Sequence, residues 1–180
     1  MAVALGFDSS ILSPFARAHR LDMLERITFG HRCVVTRAVL DEIDRGCDLY
    51  PVLADVKILP WMQVVSVDSL NELVAFSHYV RVLGSGDRNI GEASILAWAE
   101  TSSGIAVVDD NAAVQAAKAR KVTVRRSLGL LCNALHRSVL TIDQVRTLID
   151  DLTVFGGARL PCDGVGFERW AENNGMLPAR

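Results

Sequence analysis

Two apolar runs in this chain end in acids. Val3 to Phe7 leads into Asp8-Ser9-Ser10, and Ile105 to Val108 leads into Asp109-Asp110-Asn111. In an open parallel sheet the ligand crevice lies beyond the carboxyl ends of the strands, so acids placed there face whatever binds. Two further acids stand on helical patterns: Glu42 in Val39-Leu40-Asp41-Glu42-Ile43, and Glu92 in Asn89-Ile90-Gly91-Glu92-Ala93-Ser94. Carboxylates gathered in this way suit a hard divalent cation, because Mg2+ or Mn2+ takes oxygen ligands and keeps part of its water shell. Such a site can activate water and neutralise charge developing on a phosphate.

Each acid also has an ordinary structural reading. Glu92 stands three residues after Asn89 and would complete a capping box, while Asp110 would cap a helix over residues 112–119. Glu42 lies between Asp41 and Asp44 on what reads as a solvated helix face. The densest basic stretch, Lys118, Arg120 and Lys121 with Arg125 and Arg126, could meet a phosphate backbone. A helix C-terminus that favours cations explains its first three members equally well. His19, His31, His78 and His136 show no metal-ligand spacing, and Trp61, Trp98 and Trp170 read as packing residues.

The elements that must position these groups follow from periodicity. Short β-branched runs occur at Val3 to Phe7, Cys33 to Thr36, Gln63 to Val67, Ile105 to Val108 and Val122 to Val124, mostly separated by helical patterns. This alternation predicts parallel strands with crossover helices, hence a three-layer α/β/α sandwich with a mainly parallel central sheet. Ser69-x-x-Glu72 and Thr141-x-x-Gln144 are expected capping boxes, and Asn89 an expected N-cap after a loop over residues 83–89. From Thr141 the chain reads as a helix, a loop around Phe155 to Pro161, and a short helix holding Phe167 and Trp170 that stops near Gly175. Residues 1–140 thus form the main domain, with residues 141–180 as its C-terminal helical appendage.

Composition narrows the class. At 180 residues, 50% hydrophobic and 22% charged, the chain can bury one sizeable core. Its net charge of -2 supplies no overall field for a polyanion, so nucleic acid must meet a local basic patch or a metal. Cys33, Cys47, Cys132 and Cys162 form no C-x-x-C pair and read as reduced thiols. No leader pattern and no membrane-length apolar stretch is evident, so the expectation is a cytoplasmic protein without a membrane partner.

Taken in order, Asp8-Ser9-Ser10 with Pro14, then Thr36 to Glu42, then Gly91-Glu92-Ala93-Ser94-Ile95-Leu96-Ala97, then Val107-Val108-Asp109-Asp110 make a pattern. That pattern resembles the PIN-domain family, in particular its bacterial and archaeal branch with a Gly-Glu-Ala helix. The resemblance runs over nearly the whole chain, through Leu128-Gly129-Leu130-Leu131 to Leu160-Pro161 and Trp170. Arg126-Ser127 stands where many relatives of that branch have Gly-Thr, and Ser127 keeps the hydroxyl.

The resemblance implies a PIN sandwich and metal-dependent nuclease chemistry on RNA. It also suggests the toxin of a toxin–antitoxin pair, with a protein antitoxin and a second copy of the chain as candidate partners. By position Asp8, Glu42, Glu92 and Asp110 match the family's acidic set, and Asp109 exchanges with Asp110 on a one-residue slip. The expected cofactor is Mg2+ or Mn2+. Two rival readings stand beside the endoribonuclease: a PIN-like scaffold that holds RNA or protein with little cutting, and a receiver or phosphatase on a doubly wound sheet. The second lacks an Asp-x-Asp pair, since Ser9 and Ser10 follow Asp8.

Overall fold

A computed structural model describes residues 3–84 and 89–178. Strands β1 (Ala4–Phe7), β2 (Arg32–Thr36), β3 (Met62–Val65), β4 (Ile105–Val107) and β5 (Val124–Arg125) form one sheet in the order β3-β2-β1-β4-β5. Every pairing is parallel. The central strand β1 sets Gly6 against Val34 on one side and Ala106 on the other. The chain first steps outward from β1 to β2 and β3, then returns to the opposite side of β1 for β4 and β5. The reversal falls between β1 and β4, the point at which an open α/β sheet leaves a crevice beyond its strand ends. Asp8 and Asp110 follow those two strands, so topology alone brings them to one rim.

The helices are α1 (Ser9–Arg17), α2 (Leu21–Thr28), α3 (Arg37–Gly46), α4 (Leu70–Leu83), α5 (Ile90–Ser102), α6 (Asn111–Ala119), α7 (Ser127–His136), α8 (Ile142–Val154) and α9 (Phe167–Asn173), with a 3-10 helix over Pro51–Ile58. Helix α5 packs on β1, β2 and β4 and is itself covered by α3, α4 and α6. That environment explains its composition: Ala93 to Ala99 are all buried, so apolar residues continue around the helix rather than along one stripe. Trp98 fixes its seat on the sheet. A Cβ on Gly6 would stand 2.5 Å from the indole, so only glycine lets strand and ring approach this closely. The expected three-layer α/β/α sandwich is therefore the observed one.

Both expected capping boxes form, with Ser69 and Glu72 opening α4 and Thr141 and Gln144 opening α8. Asn89 occupies the N-cap position of α5 but does not cap it; its Nδ2 donates to the Leu83 carbonyl and ties α5 to the end of α4. The rest of the loop read over residues 83–89 lies outside the described residues at 85–88. Strand β5 is short and starts later than the Val122-to-Val124 run suggests. Lys121 is left-handed at φ 60°, and the Val122 N–H closes α6 on the Ala117 carbonyl instead of entering the sheet.

Helix α8 buries Val145, Leu148, Ile149 and Leu152 and touches α1 and α7, so the C-terminal segment shares the main core. Trp170 of α9 stacks on buried Phe167 with ring centroids 6.5 Å apart. All four cysteines are free thiols. Among the described residues no helix is long and apolar enough to cross a membrane.

Candidate active site

Asp8 is fully buried, because β1 delivers it into the crevice directly beneath the start of α1. Its Oδ2 accepts the Ser10 N–H at 2.8 Å and so caps α1. Its Oδ1 is also buried and has no partner. Glu42 comes from the middle of α3, not from a solvated face. Its Oε2 accepts from the Ser9 hydroxyl at 2.9 Å and its Oε1 from the Gly91 N–H at 2.8 Å. Glu92, in the first turn of α5, has a buried Oε2 that no donor reaches. With the Asn89 side chain turned to Leu83, no capping box forms there, and the Glu92 carboxylate is left to the crevice. One oxygen from each of Asp8, Glu42 and Glu92 lies within 4.8 Å of the others.

Neutral groups set this geometry, and the sequence reading assigned them no such role. The Val39 N–H donates to the Thr36 hydroxyl, whose oxygen lies 2.6 Å from Ser94 Oγ; Ser94 in turn donates to the Gly91 carbonyl at 2.7 Å. With the Ser94 proton committed to Gly91, the Thr36 hydroxyl must donate to Ser94. The chain of bonds anchors the Gly91 backbone through its carbonyl, and the N–H of the same residue holds Glu42. Ser9 and Ser10, adjoining the strand-end acid, were the available signal, since serine after such an acid sits where a helix begins.

The two aspartates after β4 separate cleanly. Both oxygens of Asp109 are taken by Ser127, at 2.9 Å from its N–H and 2.5 Å from its hydroxyl, which ties β4 to the start of α7. Asp110 caps α6, its Oδ1 accepting the Ala113 N–H at 3.0 Å. It is exposed and stands outside the three-acid group, yet near enough that its charge raises the pKa of both Asp8 and Glu92. Arg126 takes an ordinary extended conformation and donates to the Asn111 side chain.

The basic stretch divides between opposite ends of α6. Asp110 is at the N-terminus, at the crevice, and Lys118, Arg120 and Lys121 are at the far end. Nine helical residues put about 13 Å between those ends. Arg120 there forms an ion pair with Glu100, which also accepts from Tyr79. Arg125 ends β5 and Arg126 follows it, so both return to the crevice side.

Burial is the first cause that raises Asp8, Glu42 and Glu92 above the usual carboxylate range. For Glu92 the charges of Asp8, Glu42 and Asp110 add to burial, and its pKa is pushed up to about 8 from 4.5. The metal-free folded chain therefore keeps protons that the unfolded chain has released. Stability should fall as pH rises between about 4.5 and 8, because over that window the native state binds more protons than the unfolded one. In chelator, the melting temperature should drop across this range and drop less steeply in Glu92→Gln; equal slopes would show that Glu92 carries no raised pKa.

The donor set of the three-acid group is oxygen only, without His or Cys. The two unpartnered buried oxygens, on Asp8 and Glu92, are what a hard cation would satisfy. A family model described as a PIN domain matches residues 5–163, continuing past residue 140 into the C-terminal segment. No curated protein and no solved structure matches the chain.

Proposed function

The chain belongs to the PIN-domain family, a nuclease-type fold, and from that premise we propose that it is a metal-dependent endoribonuclease. The observation that carries the reading is the pair of buried, unpartnered carboxylate oxygens on Asp8 and Glu92, facing one crevice at the switch point of the sheet. Buried polar atoms are nearly always satisfied, so two orphaned carboxylate oxygens in one cluster fit a bound cation as their partner.

Asp8, Glu92 and Asp110 would hold Mg2+ or Mn2+, with Glu42 at the edge of the set, its oxygens already engaged by Ser9 and Gly91. Asp110 is preferred to Asp109 because Asp109 is spent on Ser127. A divalent cation bound there supplies Lewis-acid polarisation of the phosphate and makes water a competent nucleophile at neutral pH. The protein's own contribution is placement. Ser9 and Gly91 keep Glu42 turned inward, and Glu92 Oε2 is positioned to orient water or accept its proton. Burial of Asp8 keeps bulk solvent from screening the site. The reaction is hydrolysis by direct attack of water on phosphorus, without a covalent enzyme intermediate. RNA phosphates would meet Arg125 and Arg126 rather than Lys118, Arg120 and Lys121.

Purified protein should cut single-stranded RNA with Mg2+ or Mn2+ and stop in chelator. Cutting that persists in chelator would overturn the metal requirement. RNA binding without turnover in both metals would favour the PIN-like scaffold instead.

A further inference from the structure

Beside the carboxylate cluster, a cavity of about 710 Å3 opens between α7 and the C-terminal segment. Asp109 lines it, and the next residue, Asp110, belongs to the acidic rim, so cavity and cluster adjoin. Its volume falls within the roughly 300–1,000 Å3 typical of small-ligand sites.

The lining has an unusual charge for a chain with net charge -2. Arg125 and Arg126 reach it from the end of β5, and Arg159 from the segment before α9. Arg125 and Arg159 have no ion-pair partner among the described residues, and Arg126 donates to a neutral amide. The one carboxylate in the lining, Asp109, has both oxygens occupied by Ser127. Positive charge is therefore left uncompensated around a cavity whose remaining wall is largely apolar, with Leu128 and Leu160 among its residues. Trp170 lines the same space, its indole backed by Phe167 and only half buried.

A planar ring against an apolar wall, rimmed by unpaired guanidinium groups, is the chemistry that recognises a nucleotide within a single strand. The base stacks on the indole, and the phosphodiester meets arginine. We infer that this cavity holds a nucleotide of single-stranded RNA flanking the scissile bond, and that Arg159 and Trp170 make the C-terminal segment part of the substrate site. The inference deepens the nuclease reading and rests on it for the words "scissile bond". Binding itself is testable without catalysis.

The full chain in chelator should bind a fluorescein-labelled single-stranded RNA decamer, read by anisotropy at low salt. Arg159→Glu should weaken that binding about tenfold and flatten its salt dependence, since a cation contacting phosphate releases about one counterion. Trp170→Leu should weaken binding to a similar extent, with a smaller change in the salt slope. Because Trp170 also packs on Phe167 and its replacement could disturb α9, the exposed Arg159 is the deciding position. Arg169→Ala removes a cation from α9 that does not line the cavity and should leave affinity unchanged. With Mg2+ present, Arg159→Glu should raise KM and leave kcat near wild type. Wild-type affinity in Arg159→Glu would overturn the inference while leaving the nuclease reading intact. Weakened binding in a protein that never cuts RNA would keep the cavity assignment and sink the nuclease reading instead. Absence of RNA binding by the wild type would overturn the assignment and leave the cavity to a protein segment.

Discussion

Asp8→Asn should melt higher than the wild type in chelator, lose the rise in melting temperature that Mn2+ produces, and cut RNA about a thousandfold more slowly. These results share one cause. Without metal, Asp8 is a fully buried acid with an unpartnered oxygen beside two other carboxylates. Leaving such a group unsatisfied costs about 1–3 kcal/mol. Asn removes the like charge and sets an amide donor beside the Glu42 and Glu92 carboxylates; at ~2–4 °C per kcal/mol for a chain of this size, relief of that cost is a rise of several degrees. Asn can still accept the Ser10 N–H through its side-chain oxygen, and Asn caps helices as well as Asp, so α1 keeps its start. The same change removes the charge on which a cation depends, so stabilisation by mass action should vanish. The rate loss corresponds to about 4 kcal/mol of barrier. A metal-induced shift of wild-type size in Asp8→Asn would remove the case for a centre built on this residue. Asp110→Asn should lose activity to a comparable extent with little change in metal-free stability, because Asp110 is exposed and Asn preserves its cap on α6.

Gly91→Ala should fold and yet lose metal affinity and turnover by about 10–100-fold, the range seen when a group that orients a ligand is disturbed. Judged as a helix residue alone, alanine would be an improvement of about 1 kcal/mol over glycine. Tertiary contact reverses that expectation. A Cβ at this position would lie 2.5 Å from Glu42 Oε2 and 2.7 Å from Glu42 Cδ, so the carboxylate must move. Glu42 is the flexible partner, which is why the loss should appear in function rather than in folding. Glu42→Ala provides the check. If Gly91 acts by keeping room for Glu42, the double variant should bind Mn2+ no worse than Glu42→Ala alone, whereas independent effects would add.

Much of this site was legible because some sequence signals report purely local physics. An apolar β-branched run that ends in Asp8, and another ending in Asp109-Asp110, give strand ends with acids on them, and parallel topology then sends both ends to one rim. Ser69 with Glu72, and Thr141 with Gln144, sit three residues apart and interact whatever the rest of the chain does. Asn89 and Glu92 have similar spacing and failed the same reading, because Leu83 offered the Asn89 amide a partner brought near only by the packing of α4 on α5.

The sequence by itself determined which acids were available, their order, and the strands that carry them, since those depend on residue type and short-range periodicity. Only the tertiary structure engages Asp109 with Ser127 and leaves Asp110 exposed as the cap of α6. Successive side chains of extended backbone point to opposite sides, and nothing in the sequence says which side faces α7 and Ser127 and which faces the crevice. It also decided that one basic stretch is two, because the length of α6 places Lys118, Arg120 and Lys121 at the far end from Asp110 while β5 carries Arg125 and Arg126 back. Arg159 and Trp170 came to the cavity by the docking of the C-terminal segment against α7, a contact between residues far apart in the chain that no local pattern encodes.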